Sequence, residues 1–404
     1  MQVTATPHRV KVELEDTSVA FASKSDFQLQ KAYWLFSLMN KAWVVKLGTF
    51  FIKLAFLLQL PIKKLIRLTV FEQFCGGETI IECNKTIENL AKAHVGTILD
   101  YSVEGEDSEN SFECTITEIL KTIEKASQSK DVPFSVFKVT GIASIDLLEK
   151  IQKGEDLSET ESEQFQKVKQ RIDSLCAKAW ELKVRLFIDA EESWIQDVID
   201  ELAYCAMKKY NTITPTVYNT YQMYRADMLE NLQKAAKIAK LEGYLIGAKL
   251  VRGAYIERER LRSHEEEYKD PIHSTKAETD NDFDTAIVFC LENRNVLSIC
   301  LGTHNEKSCL YCAELMDKMG ITHNDNHVWF AQLLGMSDNI SYNLAKSGYN
   351  VAKYVPYGPI QAVMPYLFRR AAENKSIAGQ SSREFLLVKK EVARRHGKSL
   401  VLSF

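Results

Sequence analysis

The residues best suited to chemistry lie near the C-terminus, in the sequence Tyr366-Leu-Phe-Arg369-Arg370-Ala-Ala-Glu373-Asn374. Their separations of three and four residues would place the tyrosine, both arginines and the glutamate on or near one face of a helix. Two adjacent guanidinium groups beside a tyrosine suit a carboxylate ligand. An isolated Arg-Arg pair is more often a solvated basic face, so the interpretation depends on the residues that accompany it.

Further candidate site residues, most of them polar, stand in or directly after β-rich runs upstream of this helix. They are Lys138, the segment Asp189-Ala190-Glu191-Glu192, the segment 219–222, Lys249, Arg252, Gly253, Ala254, Tyr255, Thr303, His304, Gln332 and Tyr354. Each has a plain structural alternative: Lys138 can snorkel from a strand end, Asp189 can cap a helix, and His304 can be a core histidine. Together they favour a pocket for a small carboxylate and a phosphate-bearing cofactor.

Eight β-rich runs would position these residues, and each is followed by a helical stretch. The runs are residues 97–103, 134–139, 184–189, 214–218, 245–251, 296–301, 327–331 and 350–355. Strands that alternate with helices indicate an α/β fold with a parallel sheet. Eight such units in about 280 residues predict a (β/α)8 TIM-like barrel, with a doubly wound open sheet as the alternative.

The same pattern predicts how the chain is organised. Residues 1–92 form an N-terminal leader and helical region, residues 93–395 the barrel catalytic domain and residues 396–404 a C-terminal tail. Residues 1–25 show little periodicity, and the following helices are broken at Pro61 and at Gly76-Gly77. The polar segment 154–163 is typical of a surface insertion.

Composition narrows the possible classes. The chain has 404 residues, of which 46% are hydrophobic and 26% charged, and its net charge of -3 implies no general attraction to nucleic acid. Nine scattered cysteines indicate reduced thiols. A GxGxxG fingerprint, a phosphate-binding P-loop, an HExxH motif and a paired CxxC motif are all missing from the sequence. We therefore predict no metal site, and any dinucleotide must be held by another architecture.

The stretch between Asp26 and Glu72 is unusual, because it holds seven Lys or Arg residues and no acidic residue. Apolar residues are interleaved with these cations. The stretch 27–71 is either a helix pair packed on the main domain or a basic amphipathic surface that contacts anionic lipid. Neither a signal peptide nor a transmembrane helix is visible, since the longest uncharged apolar run, Leu54 to Ile62, is about half the required span.

Five motifs together resemble the proline dehydrogenase family of flavin-dependent enzymes. They are Lys-Leu-Val-Arg-Gly-Ala-Tyr at 249–255, Thr-His-Asn at 303–305, Gln-Leu-Leu-Gly-Met at 332–336, Tyr-Val-Pro-Tyr-Gly at 354–358 and the helix Tyr-x-x-Arg-Arg-x-x-Glu-Asn at 366–374. The motifs are most similar to the mitochondrial, eukaryotic-type branch, which some bacteria share as a monofunctional enzyme. The resemblance covers about residues 70–390 and implies a distorted (β/α)8 barrel that holds FAD.

The resemblance implies that proline is bound by Lys138, Tyr255, Tyr354, Tyr366, Arg369 and Arg370. The cations would clamp its carboxylate, and the tyrosines would wall its ring or close over it. Relatives that prefer 4-hydroxyproline carry a smaller residue in place of Tyr354, so a tyrosine there implies a proline enzyme. Asp189 matches the family's active-site aspartate. It either accepts the amine proton or orients Tyr354, and we favour the second role.

The resemblance also implies the flavin contacts. Gln222 matches the glutamine that hydrogen-bonds the flavin ring. Lys249, which forms the predicted catalytic pair with Asp189, stands where many bacterial members have an arginine beside the flavin; it keeps the cation and loses the planar fork. The other implied contacts are Ala190, Arg252, Gly253, Ala254, Thr303, His304 and Glu373. The family pairs the second arginine of the helix with a glutamate after the first strand, for which Glu104 and Glu106 are both candidates.

The implied reaction is oxidation of L-proline to Δ1-pyrroline-5-carboxylate, the first step of proline catabolism to glutamate, with hydride transfer to FAD N5 and electrons passed to a quinone. The chain is too short to include an aldehyde dehydrogenase module, so a separate pyrroline-5-carboxylate dehydrogenase would follow. The implied location is the mitochondrial inner membrane or matrix in a eukaryote, and the cytoplasm or the cytoplasmic face of the inner membrane in a bacterium. The rival interpretations are a barrel aldolase or lyase with Lys138 or Lys249 as a Schiff base, and a structural barrel without activity.

Overall fold

Eight parallel strands close into a barrel in chain order, with the first strand hydrogen-bonded to the last. They are β1 (Val95–Tyr101), β2 (Phe134–Lys138), β3 (Arg185–Asp189), β4 (Val217–Gln222), β5 (Ile246–Val251), β6 (Leu297–Gly302), β7 (Val328–Leu333) and β8 (Val351–Tyr357). The predicted (β/α)8 barrel is therefore confirmed, and the open-sheet alternative is wrong. Because all strands are parallel, their C-terminal ends form one rim.

The position of β4 differs from the prediction, which placed a strand at 214–218 and residues 219–222 after it. Those four residues belong to the strand itself. The Asn211 side chain explains the shift: its Nδ2 donates to the Val217 carbonyl at 2.7 Å, and its Oδ1 accepts from the amides of Thr216 and Val217 at 2.9 and 2.8 Å. These bonds hold an irregular turn up to Thr216, and Pro215 has no N–H for a neighbouring strand.

The computed structural model describes residues 12–103, 107–373 and 382–397. The helices described before β1 are α1 (Thr17–Ala20), α2 (Asp26–Met39), α3 (Ala42–Leu57), α4 (Lys63–Ile66), α5 (Glu72–Phe74) and α6 (Ile80–Ala91), with a π-helical segment at Arg67–Phe71. Those between strands are α7 (Glu109–Ser127), α8 (Ile145–Gln152), α9 (Glu159–Glu181), α10 (Ser193–Tyr210), α11 (Met228–Glu242), α12 (Ile256–Glu265), α13 (Lys276–Glu292), α14 (Glu306–Lys318) and α15 (Asp338–Lys346). After β8 come α16 (Met364–Glu373) and α17 (Arg383–Arg395).

Two helix predictions can be compared with these bounds. The helix expected around the Arg-Arg pair is confirmed as α16. The polar segment 154–163 is only partly a loop, because its second half begins α9. There Ser158 and Glu161 form a capping box, in which each side chain accepts from the other residue's backbone N–H.

Apolar side chains fill both the barrel interior and the layer between strands and helices. Inside the barrel, the rings of Phe134 and Phe187 stack with centroids 4.4 Å apart, and Tyr218 packs on both rings. A larger cluster of buried aliphatic residues includes Ile188 and Leu301 and joins the strands to the surrounding helices. Burial on both faces explains why these strands appear in the sequence as continuous apolar runs.

A second apolar cluster joins the N-terminal helices to the C-terminal helices. It includes Phe36 of α2, Tyr366 of α16 and Leu387 of α17, and Phe56 of α3 packs against it. We call α2, α3, α16 and α17 the helical cap. The cap bears on function because α16 carries the predicted carboxylate clamp.

The outer face of α3 remains exposed. Its large apolar side chains recur at helical spacing, and each is at least 36% exposed: Trp43, Leu47, Phe50, Phe51, Leu54 and Leu57. The helix pair is therefore packed on the rest of the chain, as one interpretation predicted, while α3 also presents an apolar surface. Within the described residues, no single helix is long and apolar enough to cross a bilayer; α2 and α3 meet that criterion only jointly, as a pair bent by 96°.

Candidate active site

Three predicted residues meet at the rim of the barrel: Asp189 at the end of β3, Lys249 in β5 and Tyr354 in β8. The Lys249 ammonium lies 2.5 Å from Asp189 Oδ1 and donates to the Tyr354 hydroxyl at 2.7 Å. That hydroxyl donates in turn to Asp189 at 3.3 Å. Lys249 is only 5% exposed, and a charge so deeply buried is stable because Asp189 neutralises it. Asp189 therefore lies where it can orient the tyrosine.

Tyr354 forms a rigid wall beside this ion pair. Burial raises the pKa of its phenol well above the usual range, and the Asp189 carboxylate adds to the rise. Its ring stacks on Phe187 with centroids 6.3 Å apart, and the Lys249 ammonium lies 4.5 Å from its centroid. The phenol therefore stays neutral, and its ring is fixed from two sides.

Lys138 ends β2 and lies among several ionisable groups. The Tyr255 phenol raises the pKa of Lys138 most, and burial opposes this rise. Three nearby carboxylates raise it further, those of Glu191, Asp100 and Asp189. The ammonium is therefore held protonated, which suits binding of a carboxylate and does not suit a Schiff-base nucleophile.

Asp100 belongs to the same group of residues, and the sequence analysis missed it. It is the second-last residue of β1, and Ser102 Oγ donates to its Oδ2 at 2.7 Å. Burial raises its pKa and so does Asp189, whereas Lys138 and Lys249 lower it. The available signal was its position near the end of the first β-rich run, which is where the other predicted site residues stand in their own strands.

The two arginines of α16 occupy different environments. Arg370 is 8% exposed, and its Nη2 forms an ion pair with Glu373 Oε1 at 2.5 Å. Its Cζ atom lies 5.0 Å from the centroid of the Tyr366 ring. Arg369 is exposed. The two guanidinium groups are therefore not equivalent, and Arg370 is the one surrounded by protein.

Tyr366 connects α16 to the carboxylates at the rim. Burial raises the pKa of its phenol, Arg370 lowers it, and Asp100 is among the smaller contributions that raise it. Asp100 therefore acts electrostatically on Lys138 and on Tyr366 of α16, the helix that carries the predicted carboxylate clamp. The glutamates proposed as partners of the second arginine, Glu104 and Glu106, lie outside the described residues.

The predicted flavin contacts include a second group, centred on Arg252. Its guanidinium donates to Asp280 Oδ1 and to Thr303 Oγ1, both at 2.7 Å, and to Ser308 Oγ at 2.9 Å. Its Cζ atom lies 4.3 Å from the Phe283 ring centroid. The structure therefore joins Arg252 and Thr303 directly, just beyond the ends of β5 and β6.

Gly253 and Gln222 are held closely by their neighbours. Gly253 has φ of +130°, and a Cβ there would lie 2.5 Å from the Tyr224 ring, so only glycine fits. Gln222 is 2% exposed, and its Nε2 donates to the Glu191 carbonyl at 2.6 Å. This bond fixes the orientation of the Gln222 amide.

His304 and Ala254 are exposed, while Ala190 is buried. Desolvation lowers the pKa of His304 to about 3, and Lys353 and Arg370 contribute to this. The His304 ring is exposed to solvent and is nevertheless desolvated by the protein around it, and we call the region that it shares with Arg252, Gly253 and Thr303 the recess. The recess offers cations, a hydroxyl, a neutral imidazole and a glycine that permits close approach of a ligand. These residues fit a phosphate-bearing dinucleotide such as FAD.

A cleft of about 170 Å³, open to solvent, lies in a different place, between the N-terminal helices and the turn after β7. It is lined by residues that include Lys24, Gln28, Gln73, Gly335 and Asp338, and by none of the predicted site residues. We place the chemistry at the barrel rim instead, because the paired cations and the tyrosines meet there.

The fold and the site define a (β/α)8 barrel with ion pairs and tyrosines at its rim. Beside them lies the recess, whose residues fit a dinucleotide. Residues 83–383 match the proline dehydrogenase family, and the chain belongs to this family.

Relatives from distant organisms are similar to the chain. It is 40% identical over 241 residues to mitochondrial proline dehydrogenase 1 of Homo sapiens, a match that covers 59% of this chain and 40% of that protein. It is 30% identical over 426 residues to mitochondrial proline dehydrogenase 1 of Dictyostelium discoideum, covering 94% of this chain and 74% of that one. It is 31% identical over 322 residues to the carbapenem antibiotics biosynthesis protein CarD of Pectobacterium carotovorum subsp. carotovorum, and this match covers 80% of this chain and 83% of that protein.

Among solved structures, the chain resembles proline utilization A (PutA) from Bdellovibrio bacteriovorus inactivated by N-propargylglycine. The TM-score is 0.70 and the identity 19%, with 93% of this chain and 39% of that chain covered. At this identity the likeness shows the fold. The chain thus spans less than half the length of the human relative and of PutA.

Proposed function

We propose that this chain oxidises L-proline to Δ1-pyrroline-5-carboxylate with FAD. The observation that carries the proposal is the meeting of Lys249, Asp189 and Tyr354, with contacts from 2.5 to 3.3 Å, in a chain that belongs to the proline dehydrogenase family. When bound, the flavin supplies a two-electron acceptor at N5 for the hydride that leaves the proline ring.

In this proposal, Arg369, Arg370 and Lys138 bind the proline carboxylate. Binding one carboxylate at several points fixes the position of the ring carbon that gives up the hydride. The buried Arg370 supplies most of this binding, because its charge is least screened by water. The exposed Arg369 contributes less.

The tyrosines shape the space for the ring. Tyr255 and Tyr354 form its walls, and Tyr366 closes over it. Because Tyr354 is fixed by Lys249 and Phe187, it cannot move aside for a substituent on the ring. This rigidity favours proline over 4-hydroxyproline.

The nitrogen of proline must lose its proton before the hydride can leave, since its lone pair drives the departure. A site rich in cations favours the neutral amine, because a second positive charge is repelled. Asp189 is already bound to Lys249 and Tyr354, so we assign it the role of orienting the tyrosine. The proton passes from the amine to solvent.

We further propose that the electrons pass to a quinone and that a separate pyrroline-5-carboxylate dehydrogenase consumes the product, in the first step of proline catabolism to glutamate. The mitochondrial names of several relatives support a mitochondrial inner-membrane or matrix location. Residues 93–395 would be the catalytic domain, residues 1–92 the N-terminal region and residues 396–404 a tail.

The stretch 27–71 is the proposed membrane contact. The outward apolar face of α3 includes Trp43 at 66% and Leu57 at 79% exposure. Lys41, Lys46 and Lys63 flank it and form no ion pair with any described residue. Exposed aromatic and aliphatic groups bordered by free cations suit the interface of an anionic bilayer.

An absorbance spectrum of the purified protein tests the proposed reaction. We expect a yellow protein whose flavin band is bleached by L-proline in the absence of oxygen, and an Arg370→Ala protein that stays yellow at the same proline concentration. A colourless protein that borohydride links to its substrate would favour the Schiff-base lyase. A flavin band that proline leaves unchanged would reject proline as the substrate.

A further inference from the structure

The turn after β7 has an unusual backbone, and a distant helix holds it in place. Ser337 lies directly before α15 with φ of +50°, a left-handed conformation that residues other than glycine adopt at a cost. Its backbone N–H donates to Glu384 Oε1 at 2.6 Å. Glu384 lies in the first turn of α17 and is 8% exposed. The left-handed turn is therefore fixed by a buried carboxylate from another part of the chain.

The Ser337 hydroxyl connects this turn to the recess. Its Oγ lies 2.9 Å from His304 Nδ1 and 3.4 Å from Glu384 Oε1. The hydroxyl donates to the Glu384 carboxyl group, so its oxygen accepts from the Nδ1–H of the imidazole. The proton of the neutral imidazole then resides on Nδ1, and Nε2 has no hydrogen-bond partner among the described residues. Since the ring is exposed, the lone pair of Nε2 is free to accept a hydrogen bond from a ligand.

Several charged side chains surround the carboxyl group of Glu384. Asp338, Lys353 and Lys24 all act on it electrostatically. Lys353 of β8 is fully buried and pairs with Asp338 at 3.0 Å, and Lys24 pairs with the same carboxylate at 3.2 Å. Two cations and two carboxyl groups thus lie together behind the turn. Glu384 and Lys24 both lie outside residues 83–383, which match the family.

We propose that Glu384 is a positioning residue that acts through Ser337 to hold the His304 ring with the lone pair of its Nε2 directed at a hydroxyl group of the cofactor. The inference rests on the proposed function only for the identity of that ligand. The positioning itself is a property of the protein. A neutral imidazole that presents a fixed lone pair accepts a hydrogen bond from a hydroxyl group and offers none to a phosphate oxygen, so it selects a hydroxyl of the cofactor. α17 would therefore contribute to cofactor affinity although it lies outside the barrel.

Four variants separate positioning from general support of the fold. Glu384→Ala removes the acceptor for the Ser337 amide, Glu384→Gln keeps an acceptor oxygen, and Ser337→Ala removes only the hydroxyl. Glu391→Gln is the matched control, because Glu391 is another buried carboxylate of α17, and its described hydrogen bonds are to Thr17, Arg394 and Arg395 and not to the turn.

Two measurements are made on each protein. The first is the ¹⁵N chemical shifts of the His304 ring, recorded without added flavin and assigned with a His304→Gln protein, since the chain has eight histidines. The second is the dissociation constant for FAD, from titration of flavin-free protein. We expect Glu384→Ala and Ser337→Ala to mix the two tautomers, because the hydroxyl is missing or is no longer held to one acceptor, and to weaken FAD binding about tenfold, as for loss of one hydrogen bond to the ligand. Glu384→Gln should stay within about twofold of the wild type, and Glu391→Gln should leave both the ring shifts and the FAD affinity unchanged.

The proposal is overturned if Glu384→Ala and Ser337→Ala leave both the ring shifts and the FAD affinity unchanged. It is also overturned if Glu391→Gln alters them equally, because α17 would then act only by stabilising the fold. A wild-type protein that does not bind FAD would contradict the proposed function instead. In that case the ring shifts still decide whether Glu384 positions His304.

Discussion

The barrel rim and the outer face of α3 are built from the same residue types, yet their environments are opposite. At the rim, Lys249 is 5% exposed and lies 2.5 Å from Asp189. Along α3 and the segment after it, Lys46 and Lys63 form no ion pair with any described residue. Nearby aromatic rings also differ: Tyr354 is 7% exposed, whereas Trp43 is 66% exposed.

The difference shows that burial decides what a cation next to an aromatic ring can do. A buried ammonium must be neutralised, so each rim lysine lies near carboxylates and the site acquires a fixed geometry. An exposed ammonium needs no partner and keeps its charge for an external anion. The buried arrangement suits a small molecule that is held at defined points. The exposed arrangement suits an extended surface such as lipid headgroups.

The arginine pair of α16 repeats this comparison within one helix. Arg370→Ala should lower kcat/KM for proline about a thousandfold, because it removes a buried partner of the substrate carboxylate. Arg369→Ala is the matched control and should cost about tenfold or less, since its charge is exposed and screened. Steady-state kinetics with an artificial electron acceptor measure both variants. Equal losses would show that exposure does not distinguish the two arginines.

The pH dependence of the free energy of unfolding shows how strongly burial disfavours the charged form of Glu384. Burial raises its pKa from 4.5 to about 7, so between these values the folded protein binds a proton that the unfolded chain releases. The stabilising contribution is complete below pH 4.5 and is lost as pH rises through 7. Relative to Glu384→Gln, the wild type should therefore lose about 2 kcal/mol of unfolding free energy between pH 5 and pH 8. Parallel pH profiles in denaturant unfolding would contradict this expectation.

The α3 surface can be compared with an isolated exposed residue elsewhere. Leu57 of α3 and Leu241 of α11 are both 79% exposed, so glutamate at either position should be tolerated by the fold. Leu57→Glu should weaken binding to vesicles that contain anionic lipid about tenfold, because it removes apolar area and adds a repelled charge. Leu241→Glu should have no effect. Sedimentation in which the wild type fails to bind these vesicles would reject the membrane contact.

The parts of the structure that follow from local patterns could be predicted from the sequence. Eight apolar runs between helices determine a closed barrel, and closure alone brings Asp189, Lys249 and Tyr354 from three strands to one rim. The contact between Ser337 and Glu384 could not be predicted, because it depends on how α17 packs against a turn 47 residues earlier. The exposure of α3 depends in the same way on which neighbours cover it.

The smallest expected effect concerns Asp189, whose position separates an orienting role from that of a base. If Asp189 only orients Tyr354, Asp189→Asn should lower kcat about tenfold, because the tyrosine keeps its bond to Lys249 at 2.7 Å. Tyr354→Phe should cost a similar amount, and the double variant little more than either one, since both changes remove the same contact. A group that accepts the amine proton would behave differently. Its loss would abolish turnover and remove the acidic limb of the pH profile, and the effect of Tyr354→Phe would then add to it independently.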